Sequence, residues 1–311
     1  MASNRMRYAA LTAALALAVA AIAWSQRGRH RDQPAPSEHC ATRGRCAEVA
    51  LANPAFTWDS LPMAGATLYV PRGSYAAARA TQYRDEASDA IARALRMLGE
   101  TAHEPHLRVF IFGSREEVAA ISGDGTNGWA DPLGNNASVV ARAECRPVIR
   151  HEVMHVVSIR LWGHPLARDG DARDPTDRQT IERGAWLREG IAAAAEGVYG
   201  RYTYRGMSAR WQAEGGLLPL DTLVHAFYRQ DDLAAYLQAG SLVQNLLATY
   251  GSQPFRLVWR EGPAAFERAY AKTPARIEQQ WQAWLRETPA AERPASIAVA
   301  RAEDVCPKRR A

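Results

Sequence analysis

Apolar and polar positions along the chain follow two different periods, and each period predicts a different kind of element. Residues 66–71 (ATLYVP) and 107–112 (LRVFIF) are short apolar runs rich in aromatic and β-branched side chains, which is typical of strands. Residues 75–98, which lie between them, have the longer period of a helix. This order predicts a small β-sheet with a crossover helix.

The rest of the chain predicts loops, one more strand and a series of helices. Residues 122–136 are rich in turn formers and predict a loop, whereas 137–141 (ASVVA) predict a short strand. The charged segment 163–184 predicts a solvated loop. Helices are predicted at 147–161, 186–197, 219–228, 232–250 and, with breaks, 263–287. The fold class that follows is α+β, with an N-terminal β-sheet lobe and a mainly helical second lobe.

Two histidines of the helix predicted at 147–161 have the spacing of a metal chelate. His151 and His155 are four residues apart, so both lie on one face of a helix. Two imidazoles so placed can share one tetrahedral zinc, and Glu152, directly after His151, is then within reach of the water on that metal. The alternative is a buried helix with stray polar residues, which would have to bury two histidines and a glutamate without partners.

A third ligand is needed, because a catalytic zinc takes three protein ligands and keeps its fourth position open. Glu189 is the only acid in the middle of the apolar and small residues of 186–197 (WLREGIAAAAEG). Its alternative role is that of an ordinary surface glutamate. Glu196, two turns along the same face, either orients a ligand histidine or is solvated near the helix end.

The segments HEVMH (151–155) and WLREGIA (186–192) together resemble the gluzincin metallopeptidases, in the branch of the aminopeptidase N-like enzymes and their small bacterial relatives. A third stretch, 235–251 (AYLQAGSLVQNLLATYG), is similar to a helix of that branch in which a tyrosine faces the metal. The resemblance covers about residues 58–288. It implies a thermolysin-like catalytic domain with a zinc cleft between the lobes.

The resemblance also implies the role of each residue. The expected ligands of one zinc ion are His151, His155 and Glu189. Glu152 is expected to act as the general base toward the attacking water, and Tyr236 to donate to the developing oxyanion. A buried packing role for Tyr236 and a donor role for His225 are the alternatives. The strand 137–141 is expected to be an edge that pairs with substrate backbone, or else a plain structural edge.

The chain departs from the aminopeptidases in its spacing and its segments. Thirty-three residues separate His155 from Glu189, where the aminopeptidases have a shorter and fixed gap. No segment resembles their Gly-x-Met-Glu-Asn exopeptidase motif, and the length leaves no room for their large N-terminal β-domain. These departures argue against trimming of amino termini and leave the zinc site unaffected.

The expected function is therefore zinc-dependent hydrolysis of peptide bonds in a peptide or protein substrate. One alternative is a non-catalytic, zinc-stabilised envelope module that binds peptides, and another is a hydrolase with a non-peptide substrate. Glu152 favours catalysis, because a purely structural metal site has no use for a carboxylate beside an open position.

The net charge of +5 is confined to the N-terminal end. Residues 1–23 contribute +2 and residues 24–46 contribute +3, so residues 47–311 are balanced. A balanced globular part gives no electrostatic support for binding nucleic acid. The first 24 residues combine two arginines with a 17-residue apolar run, Tyr8–Trp24, which predicts a cleaved signal peptide or, alternatively, a membrane anchor.

The cysteines agree with export to the periplasm or the outside of the cell. Four are present, and the short spacing of Cys40 and Cys46 favours a local loop, which leaves Cys145 for Cys306. The other two pairings, and free thiols in a cytosolic chain, remain open. The predicted organisation is a signal peptide or anchor, a linker, the peptidase domain and a C-terminal tail, at 1–23, 24–57, 58–288 and 289–311.

Overall fold

A five-stranded sheet forms the N-terminal part of the structure, a computed structural model that describes residue 40 and residues 44–102, 106–167 and 178–302. The strand order is β1-β2-β3-β5-β4. The strands are β1 Trp58–Met63, β2 Ala66–Pro71, β3 Leu107–Phe112, β4 Gly128–Asp131 and β5 Asn136–Val140. The strands predicted at 66–71 and 107–112 are thus confirmed, and the pairing β2–β3 is parallel.

Helices make up most of the remaining described residues, so the α+β class is confirmed. A two-stranded ladder of Val198–Tyr199 and Tyr202–Thr203 lies among them. The helices are α1 Cys46–Ala52, α2 Ala80–Leu98, α3 Arg115–Ser122, α4 Ile149–Trp162, α5 Arg178–Glu196, α6 Tyr204–Ala213, α7 Leu220–His225, α8 Asp232–Tyr250, α9 Ser252–Glu261, α10 Phe266–Tyr270, α11 Pro274–Arg286 and α12 Ile297–Arg301.

The prediction that 137–141 forms an edge strand is wrong. The strand itself exists as β5, but it lies between β3, to which it is parallel, and β4, to which it is antiparallel. The edge on this side of the sheet is β4, which lies inside the segment predicted as a loop at 122–136. The strand β4 has only four residues, too few for their period to be visible among the turn formers of that segment.

The helix α2 connects the parallel strands β2 and β3, as predicted for a crossover. It ends at Gly99, whose φ of 72° is the left-handed conformation that glycine adopts at helix ends. Its buried stripe recurs at helical spacing, and the members of the stripe are Tyr83, Ala87, Ala90, Ile91, Ala94 and Leu98. The alanines of this stripe leave room for α4, which packs against α2.

The two helices α5 and α8 approach each other closely because each has a glycine where they meet. A Cβ added to Gly190 of α5 would lie 2.9 Å from Val243 Cγ2, and one added to Gly240 of α8 would lie 2.8 Å from Ala193 Cβ. This close packing fixes α5, the helix of Glu189, against the helical core.

The segment 163–184, predicted as a loop, is in fact helical from Arg178 onward because α5 begins there. Residues 168–177 lie outside the described residues.

Part of the segment predicted as a linker, 24–57, is folded onto the sheet. A disulfide joins Cys40 to Cys46, as the spacing favoured, and α1 buries Ala47 and Ala50. Cys145 is also disulfide-bonded, and Cys306 lies outside the described residues, as do the predicted signal peptide 1–23 and the start of the linker. Among the helices that the structure describes, none has the length and apolar character needed to cross a membrane.

Candidate metal centre

Helix α4 carries the two histidines on one face, as their spacing predicts. The predicted helix 147–161 is confirmed, with bounds Ile149–Trp162. Most of its residues are buried, including apolar ones such as Val153 and Val157. His155 is buried and His151 is half-buried. The Nε2 atoms of the two imidazoles lie 3.1 Å apart, so both rings direct the same nitrogen toward one point.

Glu189 of helix α5 meets the two imidazoles. Its Oε2 lies 3.1 Å from Nε2 of His155 and 3.5 Å from Nε2 of His151. The residues predicted as ligands therefore form one cluster, in which ligand atoms lie within 4.8 Å of one another. The thirty-three residues between His155 and Glu189 do not prevent this, because the close packing of α4 and α5 brings the two residues together.

The cluster fits a zinc ion in both donor chemistry and size. Two imidazole nitrogens and one carboxylate oxygen are a donor set that zinc takes in catalytic sites. Zinc bonds of about 2.0–2.1 Å in a tetrahedron place neighbouring ligand atoms about 3.3–3.4 Å apart. The three separations of 3.1, 3.1 and 3.5 Å in the cluster are close to that value. The group of His151, His155 and Glu189 can thus hold a metal.

Glu152 is buried next to the cluster and against the edge strand β4. A Cβ on Gly128 would come within 2.3 Å of Glu152 Oε1, so the carboxylate lies directly over the backbone of this glycine. Burial raises the pKa of Glu152 to about 7; the imidazole of His151 opposes this rise, and the carboxylate of Glu189 adds to it. A carboxyl group with such a pKa exchanges protons near neutral pH.

The second oxygen of Glu189 is bound on the side away from the histidines. Oε1 accepts hydrogen bonds from Arg188 Nε at 3.1 Å and from the hydroxyl of Tyr228 at 3.2 Å. Burial alone would raise the pKa of Glu189, but the two imidazoles and the Arg188 guanidinium hold that pKa well below its usual value. Glu189 is therefore an anion held between cationic and hydrogen-bonding partners.

Glu196 contacts the main chain of His151. The carboxylate is buried and accepts a hydrogen bond from the backbone N–H of His151 in the first turn of α4. The first turn of a helix has free N–H groups, and this bond satisfies one of them. Glu196, which the sequence left between two roles, thus ties the end of α5 to the start of α4.

Tyr236 and His225, the two residues considered as donors to the oxyanion, lie in different surroundings. The ring of Tyr236 stacks on His151 with 6.1 Å between centroids, so this tyrosine lies beside the cluster. His225 is exposed and pairs with Asp221 at 3.6 Å. No motif in the sequence singles out Tyr228, which is brought to Glu189 by the fold.

Comparisons with known proteins give a weak fold likeness. No protein-family model matches the chain, and no curated protein matches its sequence. Among solved structures, the chain is similar to an aminopeptidase N family protein from Idiomarina loihiensis, with a TM-score of 0.38 and 10% identity. The match covers 74% of this chain and 41% of the other, so this chain spans less than half of that protein's length.

Proposed function

We propose that the protein is a zinc-dependent peptidase of the gluzincin type, in which Glu152 acts as general base. The observation that carries this proposal is the convergence of His151, His155 and Glu189 at tetrahedral spacing beside the buried carboxylate of Glu152. A metal site that served only stability would be closed by a fourth protein ligand. Among the described residues, only these three histidine, cysteine or acidic side chains form such a group.

The side chains divide the chemistry between them. Zinc bound at the three ligands would polarise the substrate carbonyl and acidify the attacking water. Glu152 accepts the proton of that water and delivers it to the amine that leaves when the peptide bond breaks. Tyr236, stacked on His151, is the proposed donor to the oxyanion that develops on the carbonyl oxygen.

The edge strand β4 supplies the proposed binding surface for the peptide. β4 pairs with β5 along one side, and none of the described strands pairs with its other side. An extended peptide can add to such an edge through main-chain hydrogen bonds, which demand little of its side chains. Gly128 belongs to β4 and touches Glu152, so a peptide added here would have its backbone next to the proposed base.

The proposed setting is an oxidising compartment outside the cytosol, with peptides or proteins as substrates. The disulfide between Cys40 and Cys46 agrees with this setting, because such bonds persist where thiols are not kept reduced. Binding of nucleic acid is not part of the proposal, and contact with a membrane is proposed only if residues 1–23 remain attached.

The test is metal analysis combined with digestion of a mixed peptide library. Purified protein is expected to contain one zinc per chain and to cleave library peptides. A chelator should abolish cleavage and added zinc should restore it. Zinc-loaded protein that binds library peptides but cleaves none would replace this proposal with the non-catalytic peptide-binding module. Cleavage that persists after complete removal of metal would contradict it.

A further inference from the structure

The carboxylate of Glu189 is held from behind by two donors that also bind each other. Oε2 faces the imidazoles of the metal centre, whereas Oε1 accepts from Arg188 and Tyr228. Arg188 Nη2 donates in turn to the hydroxyl of Tyr228 at 2.5 Å. The three side chains form a closed triangle of hydrogen bonds, which we name the Glu189 clamp. None of the sequence motifs accounts for it.

The placement of Arg188 depends on the second donor. Neighbouring residues of a helix point about 100° apart, so Arg188 and Glu189 do not face each other by virtue of their positions in α5. The long side chain of Arg188 therefore has to bend toward its neighbour to reach Oε1. The hydrogen bond to Tyr228 holds the guanidinium in this bent position, where Nε meets Glu189 and Nη2 meets the phenol.

Tyr228 is itself fixed by the core. It belongs to a short 3-10 helix, Phe227–Arg229, that follows α7. Phe227 is buried, and its ring lies 5.2 Å from the ring of Tyr236 and 5.3 Å from that of Tyr228. Although 43% of Tyr228 is exposed, its hydroxyl therefore approaches Glu189 from an anchored backbone.

The contact between Arg188 and Glu189 is more than an incidental ion pair at the surface. The side chains of Arg188 and Glu189 are only 20% and 9% accessible, and both use directed hydrogen bonds in addition to their charge. Ion pairs at the surface contribute little because water competes with them, whereas partly buried, hydrogen-bonded ones fix geometry. The clamp has the form of the outer contacts that orient metal ligands in proteins.

We propose that Arg188 and Tyr228 are positioning residues that hold Oε1 of Glu189, so that Oε2 alone faces the metal position between His151 and His155. This proposal rests on the metal centre of the proposed function. Without the two donors, the carboxylate of Glu189 can rotate and offer both oxygens or neither. The clamp thus keeps Glu189 a one-oxygen ligand and leaves room for water and substrate.

The clamp makes a quantitative prediction about metal affinity. Loss of an outer hydrogen bond to a metal ligand typically weakens metal binding roughly 10–100-fold. Arg188→Gln removes the charge and the two nitrogens that contact Glu189 and Tyr228, so its loss of zinc affinity should fall in this range. Arg188→Lys should bind zinc nearly as weakly, because an ammonium group cannot reproduce the fork of a guanidinium. Tyr228→Phe keeps the ring and should weaken binding less.

The experiment is competition for zinc between each variant and a chromophoric chelator. The set consists of wild type, Arg188→Gln, Arg188→Lys, Tyr228→Phe and the Arg188→Gln/Tyr228→Phe double variant. Because the two donors share Oε1, their effects on zinc affinity should not be independent. The fold loss of affinity in the double variant should be smaller than the product of the fold losses in the two single variants. Matched controls are Arg210→Gln, which breaks a pair with Glu214, and Tyr250→Phe, which removes a bond to Gln280.

Visible absorption of the cobalt-loaded proteins provides a second readout, which a change in fold stability alone would not move. If Glu189 becomes a two-oxygen ligand, the coordination number rises and the cobalt bands of the Arg188 and Tyr228 variants weaken. Should the Arg188 variants not fold, Tyr228→Phe carries the test, since its ring packing is retained.

Two results would overturn the proposal in distinguishable ways. Wild-type zinc affinity and wild-type cobalt bands in both Arg188→Gln and Tyr228→Phe would show that the clamp positions nothing, while the metal centre stands. Wild-type affinity in Glu189→Ala would instead remove Glu189 from the metal centre, and with it both the clamp and the ligand set of the proposed function.

Discussion

Gly128 lies so close to Glu152 that a Cβ atom added to this glycine would be 2.3 Å from Glu152 Oε1. Two further side-chain atoms of Glu152, the carboxyl carbon Cδ and the methylene carbon Cγ, would each be 2.7 Å from this Cβ. The edge strand and the proposed base are therefore matched in shape, and the absence of a side chain at residue 128 is what permits the carboxylate to lie there.

Gly128→Ala should consequently impair cleavage while leaving the metal in place. The added methyl group has to displace the carboxylate of Glu152, and displacement of a reacting group by about 1 Å can cost roughly 10²-fold in rate. The three atoms nearest to the added methyl group all belong to Glu152 and none to a proposed ligand, so zinc content should remain at one per chain. The measurement is kcat/KM on a library-derived peptide together with zinc content.

Gly125→Ala is the matched control for this prediction. It lies in the loop just before β4, and its added Cβ would meet neighbouring atoms only at 3.6 Å or more, which is ordinary contact. This variant should retain wild-type cleavage. Equal activity in both alanine variants would mean that Glu152 tolerates displacement, and the base assignment would lose its geometric support.

Glu152→Gln should separate catalysis from metal binding. The amide nearly preserves size and shape but cannot accept a proton, so the general-base contribution, typically roughly 10²–10⁴-fold, should be lost. Zinc content should be unchanged, because Glu152 is not one of the three clustered ligands. Thermal stability should not fall either, since the amide avoids the cost of burying a charged carboxylate.

The assay compares zinc-loaded wild type and Glu152→Gln on the same peptide library, with melting measured alongside. Equal, non-zero cleavage by the two proteins would refute the mechanism. A large loss of zinc or stability in the variant would show that Glu152 holds the metal or the fold.

Sequence reasoning predicted those parts of the molecule in which pattern and chemistry coincide in a short segment. The helix of His151 and His155 was found because its two ligands are four residues apart, which is a local property. Glu189 was found because a lone acid in an apolar helix is unusual. Its meeting with the histidines depends on how α4 and α5 pack, so it was expected only from the need of a catalytic zinc for a third ligand and from the family resemblance.

Properties that depend on contacts between segments, and not on a pattern within one segment, were missed. The strand β4 has four residues in a turn-rich segment, and it is extended because β5 pairs with it. Tyr228 has no motif, and its relation to Glu189 arises only when the turn after α7 folds against α5. Residues 24–57 have little periodicity, yet a disulfide and the burial of Ala47 and Ala50 fold their C-terminal part.

Gly240→Ala should destabilise the fold although alanine is the better helix former. An alanine in an open helix position gains up to about 1 kcal/mol over glycine. At residue 240, however, the added Cβ would be 2.8 Å from both Ala193 Cβ and Tyr204 Cδ2, and overpacking of this kind typically costs about 1–3 kcal/mol. Unfolding by urea should show a net loss, and a gain in stability would mean that α5 and α8 can separate without cost.

Zinc should stabilise the wild-type fold, and Glu189→Ala should abolish this effect. A ligand at 100 times its Kd adds about 2.7 kcal/mol to the free energy of unfolding. For a domain of this size, each kcal/mol raises Tm by about 2–4 °C, so zinc at 100 times its Kd should raise the Tm of metal-free wild type by about 5–11 °C. Without Glu189, two imidazoles remain, and zinc should change Tm little.

Magnesium is the control for this experiment, because an ion that prefers oxygen ligands should not be held by two imidazoles and one carboxylate. It should leave the Tm of both proteins unchanged. An equal rise with zinc in wild type and Glu189→Ala would place the stabilising zinc elsewhere in the chain. A rise in wild type alone would tie the stabilisation to Glu189, since the substitution changes none of the chain's other metal-binding side chains.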